Sequence, residues 1–174
     1  MSIDIGALVR DFPDYPLPGV LFKDITPLLA SAEGFRAAID QLVAGAPEGI
    51  DYVVGMEARG FIFAAPVALA LGAGFVPVRK PGKLPGELFE ESYQLEYGSE
   101  TLTMRTDAIR PGSRVMIVDD VLATGGTVAA TAALLRQAGA ELAQIAVVVE
   151  LTELSGRERL AAAGIDAFSA LLQV

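Results

Sequence analysis

The residues with the clearest chemistry lie in Val115-Met116-Ile117-Val118-Asp119-Asp120-Val121-Leu122-Ala123-Thr124-Gly125-Gly126-Thr127. A fully apolar run ends in two carboxylates, and a loop of small residues then opens a helix. In a parallel sheet, ligands gather beyond the C-terminal ends of the strands. The small side chains of Ala123, Thr124, Gly125, Gly126 and Thr127 let backbone N–H groups approach an anion. The helix that follows adds the positive end of its dipole, which suits a phosphate. The loop lacks the Gly-Lys-Ser/Thr ending of a Walker A loop and is not G-x-G-x-x-G, which argues against a nucleoside triphosphate or a dinucleotide. Ionised Asp119 and Asp120 only accept hydrogen bonds, so they match a pair of sugar hydroxyls, which can donate. Neighbouring strand residues point to opposite faces, so both reach one sugar only if the chain turns at Asp120.

Cations cluster elsewhere. Arg79, Lys80 and Lys83 put three of the chain's 13 basic residues within five positions. Arg59, between Ala58 and Gly60, follows an apolar strand at the start of a helix. Glu96 and Tyr97 come late in a stretch, Lys80 to Gly98, that mixes prolines, glycines and charges and reads as a long mobile loop leading into a hairpin. There is no histidine and no cysteine, which excludes imidazole acid–base chemistry, a Ser-His-Asp triad, a cysteine nucleophile and a thiolate metal site. The formal net charge of −9 opposes binding to nucleic acid or an anionic membrane.

The elements that must position these residues alternate along the chain. With 174 residues, 52% of them hydrophobic, the sequence fits one domain with a real core. Ile3 to Asp11 reads as a short amphipathic helix stopped by Pro13, and Phe35 to Ala44 as a helix capped by Ser31. Asp51 to Met56 is an apolar strand. The uncharged run Gly60 to Val78 is long enough to suggest a membrane span, but Pro66, Gly72, Gly74 and Pro77 interrupt it. It reads instead as a buried helix from Gly60 to Leu71 and a strand from Phe75 to Val78. Arg114 to Val118 is a strand, Thr127 to Ala138 a helix, Glu141 to Leu151 a strand, Leu154 to Ala163 a helix, and Ala167 to Leu172 a last strand. That order predicts an α/β fold, a mainly parallel sheet with helices on both faces.

The strand, acid pair and Thr-Gly-Gly-Thr loop resemble the motif that binds phosphoribosyl pyrophosphate (PRPP) in the type I phosphoribosyltransferases. The likeness to the adenine phosphoribosyltransferase branch covers almost the whole chain. It is carried by Phe12-Pro13-Asp14-Tyr15-Pro16, by Pro18 through Pro27, by Glu57-Ala58-Arg59-Gly60-Phe61, by Arg79 through Gly86 and by Ser92 through Gly98. Glu87 and Leu88 stand where relatives often carry a threonine, and Arg105 where many have histidine.

The resemblance implies one phosphoribosyltransferase domain over residues 1–174. Residues 1–30 would form a small N-terminal hood and base-recognition region, and residues 81–104 a flexible catalytic loop and hairpin. It implies transfer of a phosphoribosyl group from PRPP to adenine. Asp119, Asp120 and Ala123 to Thr127 would hold the ribose and 5′-phosphate, and Ala58, Arg59, Gly60, Arg79, Lys80 and Lys83 the pyrophosphate. Leu21, Phe22 and Lys23 would read adenine through the Leu21 carbonyl and the Lys23 N–H. Those groups face the same way in an extended segment. Glu96 and Arg59 are the implied catalytic residues, with Tyr97 beside Glu96 on the loop. Mg²⁺ would arrive with PRPP rather than sit in a protein cage. A cytoplasmic homodimer, without nucleic-acid or membrane partners, completes the expectation. Transfer to guanine, xanthine or hypoxanthine on the same fold is the nearest rival. A PRPP-sensing regulator that binds nucleic acid would need a basic face or an added domain, and the net charge opposes it.

Overall fold

The computed structural model of the chain describes residues 3–95 and 98–174. Contacts divide it into two compact units, Met1–Gln41 and Leu42–Val174.

In the first unit, β1 (Arg10–Pro13) and β2 (Leu21–Asp24) form an antiparallel hairpin with Asp11 opposite Lys23 and Pro13 opposite Leu21. Two helices follow, α1 (Thr26–Ala30) and α2 (Ala32–Ala44), the second running across the division between units. Ser31 caps α2 as expected, its Oγ accepting the Gly34 N–H at 3.0 Å. The helix expected from Ile3 to Asp11 does not form. Only a 3-10 turn, Gly6–Leu8, is present, and the chain then enters β1. Gly6 weakens a helix here, and its N–H is taken by Asp4 Oδ1 at 2.9 Å.

The second unit is built on β3 (Tyr52–Met56), β4 (Gly74–Val78), β7 (Arg114–Leu122), β8 (Glu141–Glu150) and β9 (Phe168–Gln173). They form one sheet in the order β4-β3-β7-β8-β9, with every neighbouring pair parallel. Helix α3 (Arg59–Leu71) links β3 to β4, α4 (Gly126–Gln137) links β7 to β8, and α5 (Gly156–Ala162) precedes β9. The first crossover steps one way along the sheet and the second the other way. Right-handed crossovers therefore place α3 and α4 on opposite faces. Val54, Ile117, Ile145, Val147, Leu134 and Leu160 are fully buried in the core between sheet and helices. No helix among the described residues is long and apolar enough to cross a membrane.

Two expectations need correction here. The hairpin expected after the loop from Lys80 to Gly98 begins inside that stretch: β5 (Leu88–Gln94) pairs antiparallel with β6 (Ser99–Arg105), from Leu88 opposite Arg105 to Gln94 opposite Ser99. Phe89, Glu91 and Tyr93 turn inward while Glu90, Ser92 and Gln94 are exposed, which is the period of a strand. The helix expected from Leu154 is broken. Thr152–Leu154 is a 3-10 turn, and Ser155, at φ 52°, redirects the chain into α5.

Candidate active site

Strands β3 and β7 are neighbours whose crossovers leave in opposite directions. The space beyond their C-terminal ends is the switch point where open α/β sheets bind ligands. Two turns enter it, 57–60 after β3 and 123–125 after β7. They are closely fitted. A Cβ at Gly60 would stand 2.6 Å from Asp119 Oδ1, so a residue without a side chain lets α3 begin against the acid. The next residue back, Arg59, brings Nε to 2.8 Å from Asp120 Oδ2. The Glu57–Ala58 peptide is cis.

The phosphate loop has the shape its sequence demands. Gly125 takes φ 81°, a conformation that side chains resist, and thereby turns the chain into α4. The first N–H groups of that 12-residue helix have no carbonyl partner within it. A cleft of about 80 Å³ opens at this point, lined by Asp119 and residues 121–128. One water needs roughly 10–15 Å³ on the same measure, so the cleft has room for a polyatomic anion.

The acid pair departs from expectation. The chain does not turn at Asp120, and β7 runs on to Leu122. Asp119 lines the cleft, whereas Asp120 faces Arg59. Both are buried, at 8% and 5% exposure. Burial first, and the neighbouring charge of Asp120 second, push the Asp119 carboxyl well above the usual carboxylate range. Its Oδ1 accepts the Asp120 N–H at 2.9 Å. Asp120 Oδ2 is buried and accepts no hydrogen bond; its contact with Arg59 is an ion pair only.

The basic cluster is organised by an acid that the sequence reading gave no role. Glu57 Oε1 accepts the Lys80 N–H at 2.7 Å and lies 3.3 Å from Arg79 Nε. The Arg79 backbone is clamped to Thr103 of β6 by hydrogen bonds of 3.0 Å and 2.7 Å. Lys80 Nζ reaches Glu100 Oε1 at 3.1 Å. Lys83 is exposed and makes no ion pair among the described residues. Beside this cluster, the Tyr93 hydroxyl donates to Glu100 Oε2 at 2.7 Å and meets Thr127 Oγ1 at 3.1 Å. The Tyr93 bond first, and the Lys80 bond second, hold the Glu100 carboxyl below its ordinary range; burial above all raises the Tyr93 hydroxyl. The structure thus brings Arg59, Asp119, Asp120, Arg79, Lys80 and the 123–127 loop to one end of the sheet, and adds Glu57, Tyr93 and Glu100. The available signal for Tyr93 and Glu100 was the hairpin register, which sets them directly opposite.

Leu21, Phe22 and Lys23 are in β2, extended as expected. Leu21 is exposed, Phe22 packs edge-on to Tyr15 with ring centroids 5.2 Å apart, and Lys23 Nζ pairs with Asp11 at 2.8 Å. Glu96 and Tyr97 lie outside the described residues.

Comparison with known proteins agrees with this geometry. Residues 22–164 match the family model of the phosphoribosyl transferase domain. The adenine phosphoribosyltransferase of Cutibacterium acnes is 62% identical over 170 residues, 98% of this chain and 96% of that protein. The crystal structure of the enzyme from Thermoanaerobacter pseudethanolicus superposes with a TM-score of 0.93 at 46% identity, covering 98% of each chain. That of the Saccharomyces cerevisiae enzyme, complexed with an imino-altritol bisphosphate and adenine, gives 0.90 at 43% identity over 97% of this chain and 96% of that one. With a matching domain model, close relatives over nearly its full length and the PRPP motif folded at the switch point of the sheet, the chain belongs to the adenine phosphoribosyltransferase family.

Proposed function

We propose that separate turns of this chain hold the two ends of PRPP, and that the buried acid pair holds the ribose between them. The reaction is the family's: the 5-phosphoribosyl group passes from PRPP to adenine, giving AMP and pyrophosphate, a step of purine salvage. The C1–oxygen bond to pyrophosphate breaks, the bond from adenine N9 to C1 forms, and N9 gives up its proton. Positive charge grows at C1 and negative charge on the leaving group, so cations placed at the leaving group lower the barrier.

The observation that carries the assignment is the cleft between Asp119 and the start of α4. It offers the 5′-phosphate the N–H groups of residues 123–127, the Thr124 and Thr127 hydroxyls, and the helix dipole. The ribose hydroxyls donate to Asp119, which lines the cleft, and to Asp120 if β7 turns at that residue when the ligand binds. For Asp120 this means exchanging Arg59 for the sugar, which releases Arg59 to the pyrophosphate. Ala58, Gly60, Arg79, Lys80 and Lys83 complete that end, with Glu57 fixing Arg79 and Lys80.

The oxygen donors suit Mg²⁺, a hard cation, and the buried Asp120 Oδ2 has lone pairs to spare. The ion would be carried by PRPP, with Asp119 and Asp120 the side chains able to hold it from the protein side. When bound, it supplies neutralising charge to the pyrophosphate.

Leu21, Phe22 and Lys23 read the base, and the extended form of β2 supports this, since carbonyl and N–H two residues apart face one way. By the family resemblance Glu96 takes the N9 proton, with Tyr97 next to it in the sequence. A cytoplasmic setting fits the absence of cysteine. A homodimer fits the exposed apolar side chains of Ile62, Leu69 and Phe75. Substitution of the base tests the assignment of Glu96. Glu96→Gln keeps the hydrogen-bonding shape but loses the ionisable group, so kcat falls by roughly 10²–10⁴ while directly measured PRPP affinity stays at the wild-type level. A near-wild-type rate removes Glu96 from the mechanism.

A further inference from the structure

Tyr93 has no role in these assignments, yet it meets the phosphate loop twice. Its ring would lie 2.9 Å from a Cβ at Gly126, so the glycine is what admits the ring against the start of α4. Its hydroxyl joins Thr127 Oγ1 at 3.1 Å on one side and Glu100 Oε2 at 2.7 Å on the other. Tyr93 and Glu100 are cross-strand partners in the β5–β6 hairpin, and the second Glu100 oxygen accepts from Lys80 Nζ at 3.1 Å. A continuous chain of polar contacts therefore runs from Lys80 through Glu100 and Tyr93 to Thr127.

The inventory of protons decides how that chain behaves. An ionised carboxylate only accepts, so Glu100 takes the single hydroxyl proton of Tyr93. The Tyr93 oxygen is left to accept, and Thr127 gives it its own hydroxyl proton. A phosphate is also only an acceptor, and on docking it needs that Thr127 proton. The Thr127 oxygen can then accept from Tyr93, completing a chain in which each bond strengthens the next, but only if Tyr93 lets go of Glu100. Resting on the loop assignment above, we infer that Tyr93 is a positioning residue of the 5′-phosphate site and that Glu100 competes with bound phosphate for its proton. Glu100 thereby limits phosphate affinity in this chain, and it does so through Tyr93 alone.

Ribose 5-phosphate is the probe, because it carries the 5′-phosphate without a pyrophosphate for Lys80 to hold. Its affinity is measured by titration calorimetry for wild type, Glu100→Ala, Tyr93→Phe, the double variant and Thr127→Val. Glu100→Ala is expected to bind about fivefold more tightly than wild type, the effect of one ordinary hydrogen bond. Tyr93→Phe and the double variant should match each other within about twofold, and both should bind more weakly than Glu100→Ala, because contacting residues in one network are not additive. A gain in affinity cannot come from a damaged fold. Unchanged or weaker binding by Glu100→Ala overturns the inference, as does a gain that persists when Glu100→Ala is combined with Tyr93→Phe. Thr127→Val separates this from the assignment beneath it. If that variant binds ribose 5-phosphate as wild type does, the loop assignment fails and the inference with it. If it loses affinity while the Glu100 pattern is absent, only the inference fails.

Discussion

Asp119 shows how a site residue can work against the fold that carries it. Its carboxyl is buried beside a second acid, and its pKa in the folded chain is raised for those reasons. An acid with a raised folded pKa keeps its proton to higher pH in the native state than in the unfolded one. Its contribution to stability is therefore present at low pH and lost as pH rises through the raised folded value. Above that value the native chain holds a buried charge without which it would be more stable. Asp119→Asn keeps the shape and an oxygen able to accept the Asp120 N–H. Its thermal midpoint at about pH 8 should exceed that of wild type, with the difference shrinking toward the ordinary carboxylate range near pH 4. The same change should weaken PRPP binding by about 1.5–3 kcal/mol, since it removes charge-assisted hydrogen bonds to the ribose. Scanning calorimetry against pH, paired with PRPP titration, reads both. A lower midpoint at pH 8 would show that Asp119 holds the fold together.

Elements set these residues at their working distances, and the closest fit is where α3 starts against β7. Gly60→Ala puts a methyl 2.6 Å from Asp119 Oδ1, so either the acid or the helix must move. Overpacking of this kind costs about 1–3 kcal/mol. Gly60→Ala should lower stability by that amount and raise the KM for PRPP, with little change in the KM for adenine. Unaltered PRPP kinetics would mean that the turn after β3 plays no part in placing the acid. The parallel strands and the phosphate loop were legible because their signals are local: short apolar runs, and a loop of small residues with Gly125 where φ is positive. The β1–β2 hairpin was not, and the β5–β6 hairpin was legible in its existence but not in its extent. Strand β1 depends on partners about ten residues away, and the helical spacing from Ile3 to Asp11 concealed it. In β5, Glu91 occupies an inward position, so the alternation of Phe89, Glu91 and Tyr93 reads as polar loop until β6 is set opposite. Glu57, Tyr93 and Glu100 stayed hidden for the same reason, since each acts on a residue far along the chain.

Across the whole molecule, a strongly acidic chain sets a cluster of positive charge at the end of the sheet where the phosphates are proposed to bind. Of 13 basic residues, Arg59, Arg79, Lys80 and Lys83 fall in the two segments that follow β3 and β4. Each of the first three is already paired with Asp120, Glu57 or Glu100, which keeps it aimed before the ligand arrives. The parallel sheet contributes the switch point, and its two crossovers bring the turn after β3 and the loop after β7 to one end. On the proposed reading, specificity for the base comes from the backbone edge of β2. A site that pairs with adenine's 6-amino group and N1 leaves buried polar groups unpaired when guanine brings a carbonyl there, and such mismatches discriminate by roughly 10⁴-fold. The most direct measurement is PRPP consumption, with and without Mg²⁺, run in parallel on adenine, guanine, hypoxanthine and xanthine. Mg²⁺-dependent AMP formation with adenine, and rates lower by roughly 10⁴-fold for the oxo-purines, is the expected result; equal rates with guanine, or none with adenine, would contradict it.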